Sequence, residues 1–256
     1  MTESDASSFY MTQLALDAKG LTTLGRMKRL PLRQTGTPYL VHAALGELFG
    51  DDAPKPFSIK AESGARSVRI LGYTDASKDN LHTQAQIGAS PTVYEICDWE
   101  RAATKAMPGA LPKGMRLGFE LRACPVIRKS SAGEVETRNG TRSWSEGEEV
   151  DAFLNEAWHH PEQELSRGQV YADWLRRQFD IRGGARVESV RMERFSIERM
   201  TRRDHSGGGT KQIRRPDVTL TGTLQVTDGE AFMTVLRSGI GRHKTFGYGM
   251  LKIRRA

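Results

Sequence analysis

Two groups of residues in this chain have the types and spacing to do chemistry. The first is Tyr39 and His42, three positions apart. Residues three apart share one helix face, so a phenol and an imidazole would stand side by side. An imidazole with an ordinary pKa of ~6.5 exchanges protons near neutral pH, as a general acid or base must. The second group is GIGRHKTFGYGML, residues 239–251. Here Gly239, Gly241, Gly247 and Gly249 frame Arg242, His243 and Lys244. Glycines admit positive φ and close backbone approach, and turn N–H groups beside cations suit a phosphate. The same composition suits a hairpin turn that merely packs, and residue types alone leave both readings open. A Walker-type loop is excluded, because no Gly-Lys-Ser/Thr follows at the required spacing. A dinucleotide fingerprint is excluded too: GxGxxG is not matched, and the segment ends a βαβ unit instead of opening one.

The element that must position the first group is a helix. Leu40, Val41, Ala44, Leu45, Leu48 and Phe49 recur at helical spacing and predict a buried stripe. Thr37 as N-cap and Pro38 at the first helical position start it, and it runs to about Phe49. At ~100° per residue, Tyr39 falls opposite the stripe and His42 at its edge. Gly46, one turn on, leaves space beside the imidazole. Before this helix, Phe9–Asp17 alternates as a strand and is followed by a basic loop carrying Arg26, Lys28, Arg29 and Arg33. After it, Phe57–Ala61 and Arg66–Tyr73 predict a strand pair joined by Glu62-Ser63-Gly64. Asp75–Ser90 is polar and unpatterned, Thr92–Cys97 suggests a strand, and Trp99–Met107 a short helix.

Pro108 to Gly114, with two prolines and two glycines, reads as a linker. Beyond it the grammar repeats. Met115–Ala123 alternates as a strand, and Lys129–Glu149 is Ser-, Gly- and charge-rich like a mobile loop. Ser166 with Gln169 resembles a capping box ahead of a helix through Val170, Trp174, Leu175 and Phe179. Arg186–Met200 and Val218–Thr227 are strands around the tip SGGGT, Asp228–Arg237 is a short helix, and Met250–Ile253 is a last strand. Each half thus reads strand–helix–strand–strand–helix–strand, the split βαβ order. The expected fold is α+β: two tandem ferredoxin-like domains, 1–107 and 115–256, joined by 108–114. The second carries a basic β-hairpin and a helical insertion.

Charge narrows the partner. The chain has a formal net charge of +7 and a pI near 9.5. From Arg191 onward, 14 Lys/Arg face 6 Asp/Glu, so the whole excess lies in the last quarter. Arg199, Arg202 and Arg203 precede the SGGGT tip, and Lys211, Arg214 and Arg215 follow it. Six cations on the arms of one hairpin suit nucleic-acid phosphates. A charged hairpin facing only solvent has the same composition. Cys97 and Cys124 cannot build a disulfide framework or a four-ligand zinc site. His159-His160 lacks further ligands, and His82 and His205 are expected to be solvated. No HExxH, paired CxxC or DxD carboxylate cluster occurs, so no metal and no cofactor is expected. With no stretch near ~18 apolar residues and no signal-like N-terminus, a cytoplasmic protein without membrane contact is expected.

The glycine segment resembles the C-terminal loop of CRISPR-associated repeat endoribonucleases of the CasE type. LGFELRACPVIRK is similar to the segment that opens the second domain of that family. PDVTLTGTLQVTDGEAFMTVLRSGIG is similar to its last strand and short helix, and PYLVHAALGELFGD to its first helix. Together these span about half of the chain, in family order. The chain is longer than the family, around Lys129–Leu165 and in the Arg191–Arg215 hairpin. That length resembles relatives found with type IV systems, some of which use arginines in place of histidine.

The resemblance implies two ferredoxin-like domains of the RRM-like, RAMP kind that bind and cut the stem-loop of a CRISPR repeat. The ribose 2′-OH would attack the adjacent phosphorus and expel the 5′-oxygen without metal, with His42, Tyr39 and Arg242 as catalytic residues. RNA would be held by Arg26, Arg33, Arg199, Arg202, Arg203, Lys211, Arg214, Arg215, Gly239, Gly241, Arg242, His243 and Lys244. The product would stay bound through its 3′ hairpin and join other subunits of an effector complex. The alternatives are a non-catalytic RNA-binding subunit and the same cleavage carried by arginines instead of His42.

Overall fold

The computed structural model describes residues 9–60, 64–137, 140–203 and 210–256, and only the backbone at 202, 203, 210 and 211. The first half runs β1 (Tyr10–Asp17), α1 (Ala18–Met27), α2 (Thr37–Phe49), β2 (Phe57–Lys60), β3 (Ser67–Thr74), α3 (Lys78–Gly88), α4 (Pro91–Tyr94) and β4 (Ala103–Ala106). Its strands pair antiparallel in the order β2-β3-β1-β4. The second half opens with β5 (Arg116–Ala123). An insertion follows, with β6 (Val126–Arg128), β7 (Gly133–Thr137), β8 (Gly140–Trp144), β9 (Glu149–Asp151) and α5 (Ala152–His159). Then come α6 (Arg167–Arg182), β10 (Ala185–Arg203), β11 (Thr210–Val226), α7 (Gly229–Ser238) and β12 (Leu251–Arg255). Its main sheet has the order β10-β11-β5-β12. Counted within each half, the strand order is 2-3-1-4 both times, so the chain is two tandem ferredoxin-like units, as the repeated grammar predicts.

The sheet of the first half is covered on both sides. Leu14, Leu16, Val68 and Ile70 pack under α1 and α2 in one apolar cluster. Phe9, Met11, Leu71 and Tyr73 join the core of the second half instead. Buried Tyr73 donates its hydroxyl to the Leu251 carbonyl of β12 at 3.0 Å, and burial pushes its phenol well above the usual range. One alternating strand pair therefore serves two cores, which fixes the halves against each other.

Several local expectations are corrected. Arg26 lies in α1, not in a loop. Asp17 caps that helix by accepting from the Gly20 N–H at 2.6 Å. Gly20 and Gly25 weaken its helical signal, but Gly25 is where α1 meets α2: a Cβ there would come within 2.5 Å of Leu32 and 2.8 Å of Leu40. The unpatterned stretch holds α3, capped by Ser77, with only Leu81 and Ala85 buried. Helix α4 replaces the expected strand, started by Pro91, and β4 replaces the expected helix. β4 is an edge strand paired only to β1 and largely exposed, so it shows no alternation. His82 is not solvated: it bonds the Tyr94 hydroxyl at 2.7 Å and packs on Trp99. The expected mobile loop holds the hairpin β7–β8 and is closed at its base by the pair β6–β9. The Glu62-Ser63 turn, His205 and Ser206–Gly209 of the SGGGT tip lie outside the described residues.

Candidate active site

Helix α2 forms as its stripe predicts. Val41, Ala44, Leu45, Leu48 and Phe49 are buried, each worth roughly 1.5–3 kcal/mol in the larger side chains. Its N-cap is Gly36 instead of Thr37, with Pro38 in the first turn. The Gly36 carbonyl accepts from the Tyr39 N–H at 3.1 Å. Nothing lies within 4 Å of a Cβ built on Gly46, so the space beside His42 is open.

The C-terminal loop starts where α7 ends at Gly239. A Cβ on Gly239 would meet Pro56 of the first half at 2.7 Å, and one on Gly249 would meet the Ile240 carbonyl at 2.5 Å. Both residues have positive φ, 69° and 81°. These glycines let the loop fold tightly on itself and close against the first half. Gly239 is buried, and its carbonyl accepts from Arg182, so it serves packing. Lys244 donates to the Ser238 carbonyl at 2.6 Å, a cation on the end of α7. Burial, then the charges of Arg182, Lys55 and Arg242, lower the Lys244 pKa.

An open cleft of about 680 Å³ lies between α2 and this loop. It is lined by Tyr39, His42, Lys55, Glu149, Gly241, Arg242, His243, Lys244, Thr245 and Phe246. Phe246 joins its two walls: its ring is 6.1 Å from Tyr39 and 5.5 Å from His42, centroid to centroid, and 6.5 Å from His243. Tyr39 and His42 meet edge to face at 6.4 Å. Burial, and secondarily the Lys55 charge, lower the His42 pKa, which favours the neutral imidazole, the form of a proton acceptor.

Glu149, on β9 of the insertion, is 7% exposed. It accepts from Arg242, from His243 Nε2 at 2.9 Å and from Arg215 at 3.1 Å. Burial opposes its ionisation, but the His243 and Arg242 hydrogen bonds and the charge of Arg215 outweigh that and hold its carboxyl far below the usual carboxylate range. Three residues read from the sequence as RNA contacts thus share one carboxylate.

The remaining candidates are spread more widely. Arg26 and Arg33 are exposed and lie outside the cleft lining. Exposed Arg199 lines a smaller hollow beside Tyr39 and Phe246 and pairs in register with exposed Arg214. Arg202 and Lys211 are register partners farther up the hairpin, and Arg203 pairs with Thr210; their side chains lie outside the description. Sequence reasoning missed Lys55, Phe246 and Glu149. Phe246 stood within the glycine segment and was readable. Glu149, 93 residues from Arg242, sits on a three-residue strand with no pattern of its own. Among the described residues, no group of three or more His, Cys, Asp or Glu could hold a metal ion, and no helix is long and apolar enough to cross a membrane.

Fold and site define a class: a double ferredoxin-like protein with a phenol–imidazole helix facing a cationic glycine loop. The chain belongs to the CRISPR associated protein family, whose family model matches residues 9–255. Three solved structures are similar to it. Thermus thermophilus Cse3, bound to an RNA representing a pre-cleavage complex, has 19% identity and a TM-score of 0.60, over 96% of this chain and 99% of that one. The CRISPR-associated protein Cas6e from Escherichia coli str. K-12 has 20% identity and a TM-score of 0.57, over 96% and 100%. A chain of a CRISPR RNA-guided surveillance complex, pre-nicking, has 14% identity and a TM-score of 0.55, again over 96% and 100%. At these identities the likeness is one of fold. No curated protein sequence matches the chain.

Proposed function

We propose that this protein is an endoribonuclease that processes CRISPR precursor transcripts in the cytoplasm. It binds the repeat stem-loop, cuts at the 3′ base of the stem, and keeps the product hairpin as a subunit of an effector complex. One observation carries the reading: Tyr39 and His42 of α2 line the same cleft as Arg242, His243 and Lys244 of the C-terminal loop. Support also comes from the fold it shares with Cse3, which has been solved with bound RNA, and with a chain of an RNA-guided surveillance complex.

In this reading, residues 1–107 supply the base, 108–114 join the halves, and 115–256 supply the cationic wall. His42 takes the proton of the ribose 2′-OH as the oxygen attacks phosphorus, and Tyr39 positions that hydroxyl. Arg242 faces the charge that grows on the phosphate. The nucleophile belongs to the substrate, so DNA is not cut and no metal is required. The hairpin arms, from Arg199 to Arg215, follow the stem phosphates.

The test is cleavage of repeat stem-loop RNA with EDTA present, by the unaltered protein and by His42→Ala. A 2′,3′-cyclic phosphate and a 5′-hydroxyl are expected, with the variant slower by ~10²–10⁴ and hairpin affinity little changed. Tight binding without cleavage by the unaltered protein would sink the enzymatic reading. Full activity of His42→Ala would move the chemistry to arginines.

A further inference from the structure

We propose that His243 is a second catalytic residue, the general acid that protonates the departing 5′-oxygen, and that Glu149 positions it. The inference rests on the reading that this cleft cuts RNA and adds the proton donor which that reading leaves unnamed.

Transesterification by a 2′-OH moves two protons: one leaves the attacking oxygen, and one must reach the leaving oxygen. The two oxygens lie roughly in line on opposite sides of phosphorus, so two groups facing each other across the phosphate serve better than one. The cleft holds two imidazoles on opposite walls. His42 comes from α2 and His243 from the C-terminal loop, and Phe246 contacts both rings, at 5.5 and 6.5 Å. Lys244 is a poorer donor, since its ammonium is committed to the Ser238 carbonyl.

The surroundings of His243 differ from those of His42 in the sense the two tasks require. His42 has the cation Lys55 near it, which disfavours a proton on the ring. His243 has a carboxylate at 2.9 Å. Ionised Glu149 only accepts hydrogen bonds, so the contact fixes a proton on Nε2 and leaves Nδ1 as the nitrogen that can give one up. A carboxylate on one ring nitrogen orients the imidazole. The His243 side chain is 9% exposed, and its backbone is left-handed, φ 59° and ψ 30°. Few non-glycine residues adopt that conformation, and such strain gathers at sites that use it.

The step balances. The 2′-O–H bond breaks with its proton passing to His42, and the 2′-O–P bond forms. The P–O5′ bond breaks, and the proton on His243 Nδ1 passes to O5′. His42 has then gained the proton that His243 lost, and solvent resets both.

Replacing the bridging 5′-oxygen by sulfur tests the assignment, because a thiolate departs without an acid. The full chain is assayed with the stem-loop RNA it cuts, in oxygen and 5′-thio forms. His243→Asn cannot donate a proton and tolerates the left-handed backbone. It should slow oxygen-substrate cleavage by ~10²–10⁴ yet cut the thio substrate within about tenfold of the unaltered protein. His42→Ala should be slow on both. Equal slowing of His243→Asn on both substrates, or full speed on the oxygen one, overturns the assignment while leaving His42 in place. Should His243→Asn lose hairpin affinity through misfolding, Glu149→Gln decides: a loss larger on the oxygen substrate than on the thio one supports the proposal, and an equal loss on both overturns it. If the unaltered protein cuts neither substrate, the cleavage reading itself has failed.

Discussion

The Phe246 ring stacks on Tyr39 with centroids 6.1 Å apart and planes at 27°, so a residue of the C-terminal loop is the floor on which the α2 pair stands. Phe246 is anchored in turn to a small apolar cluster with Cys124, Met200 and Tyr248. Phe246→Ala should therefore loosen both walls. Aromatic contacts of this kind are worth ~0.5–1.5 kcal/mol beyond burial, and the half-buried ring adds a similar amount. We expect about 2 kcal/mol lower stability in denaturant and cleavage at least tenfold slower under conditions where the variant is folded. Unchanged cleavage by the folded variant would mean that the loop does not set the position of Tyr39 and His42.

The pH dependence follows from His42. Burial, then Lys55, lowers its pKa below the ordinary 6.5. The folded state therefore keeps the ring neutral where the unfolded chain already binds a proton. This contribution to stability is present in full above pH 6.5 and is lost as pH falls through the lower, folded value. Activity should show the same limb, since only the neutral ring accepts the 2′-OH proton. In Lys55→Met the Lys55 charge is gone, and the acid limb of the cleavage-rate profile should move toward higher pH. A limb that stays in place would remove Lys55 from the account of His42.

What the sequence made legible is what is local. The α2 stripe from Val41 to Phe49 and the four glycines of the C-terminal loop each carry their signal within about a dozen residues, and both elements form. The repeated strand and helix order predicts the tandem fold even though α3 has no pattern and α4 and β4 read as other elements, because the sheet topology depends on the better-patterned strands β1, β3, β5 and β11. Glu149 was invisible for the opposite reason. Its role exists only once β9 pairs with β6 and the loop folds back onto it. The insertion that holds it is rich in charge and looks like solvent-facing chain until its partners are known.

Asp217 tests the interior beneath the hairpin. Its carboxylate is 0% exposed and holds Arg122 in two bonds of 2.8 and 3.0 Å and Arg194 at 2.7 Å. Arg122 also lies over the Tyr248 ring at 4.5 Å, directly under the C-terminal loop. Removing the acid leaves Arg122 largely buried without the carboxylate that bonds it twice, a change that costs about 3–5 kcal/mol. Asp217→Ala should show that loss in chemical denaturation. A cost below about 1 kcal/mol would mean that the arginines escape to water.

Hairpin cations that meet RNA differ from one that meets protein in what their loss does. Arg199 and Arg214 face each other across the β10–β11 ladder and are both exposed. Arg215, one residue on, turns inward to Glu149 at 3.1 Å and is 18% exposed. Each cation that neutralises a phosphate adds to the steepness with which affinity falls as salt rises. Arg199→Ala and Arg214→Ala should each make the plot of log affinity against log salt shallower by ~1, with stability within ~0.5 kcal/mol of the unaltered protein. Arg215→Ala should do the reverse, lowering stability because a buried carboxylate loses a partner and leaving the salt slope nearly unchanged. Titration of stem-loop RNA at several salt concentrations decides this. A slope altered by Arg215→Ala but not by the other two would mean that RNA draws Arg215 away from Glu149 and that the exposed pair stands clear of the stem.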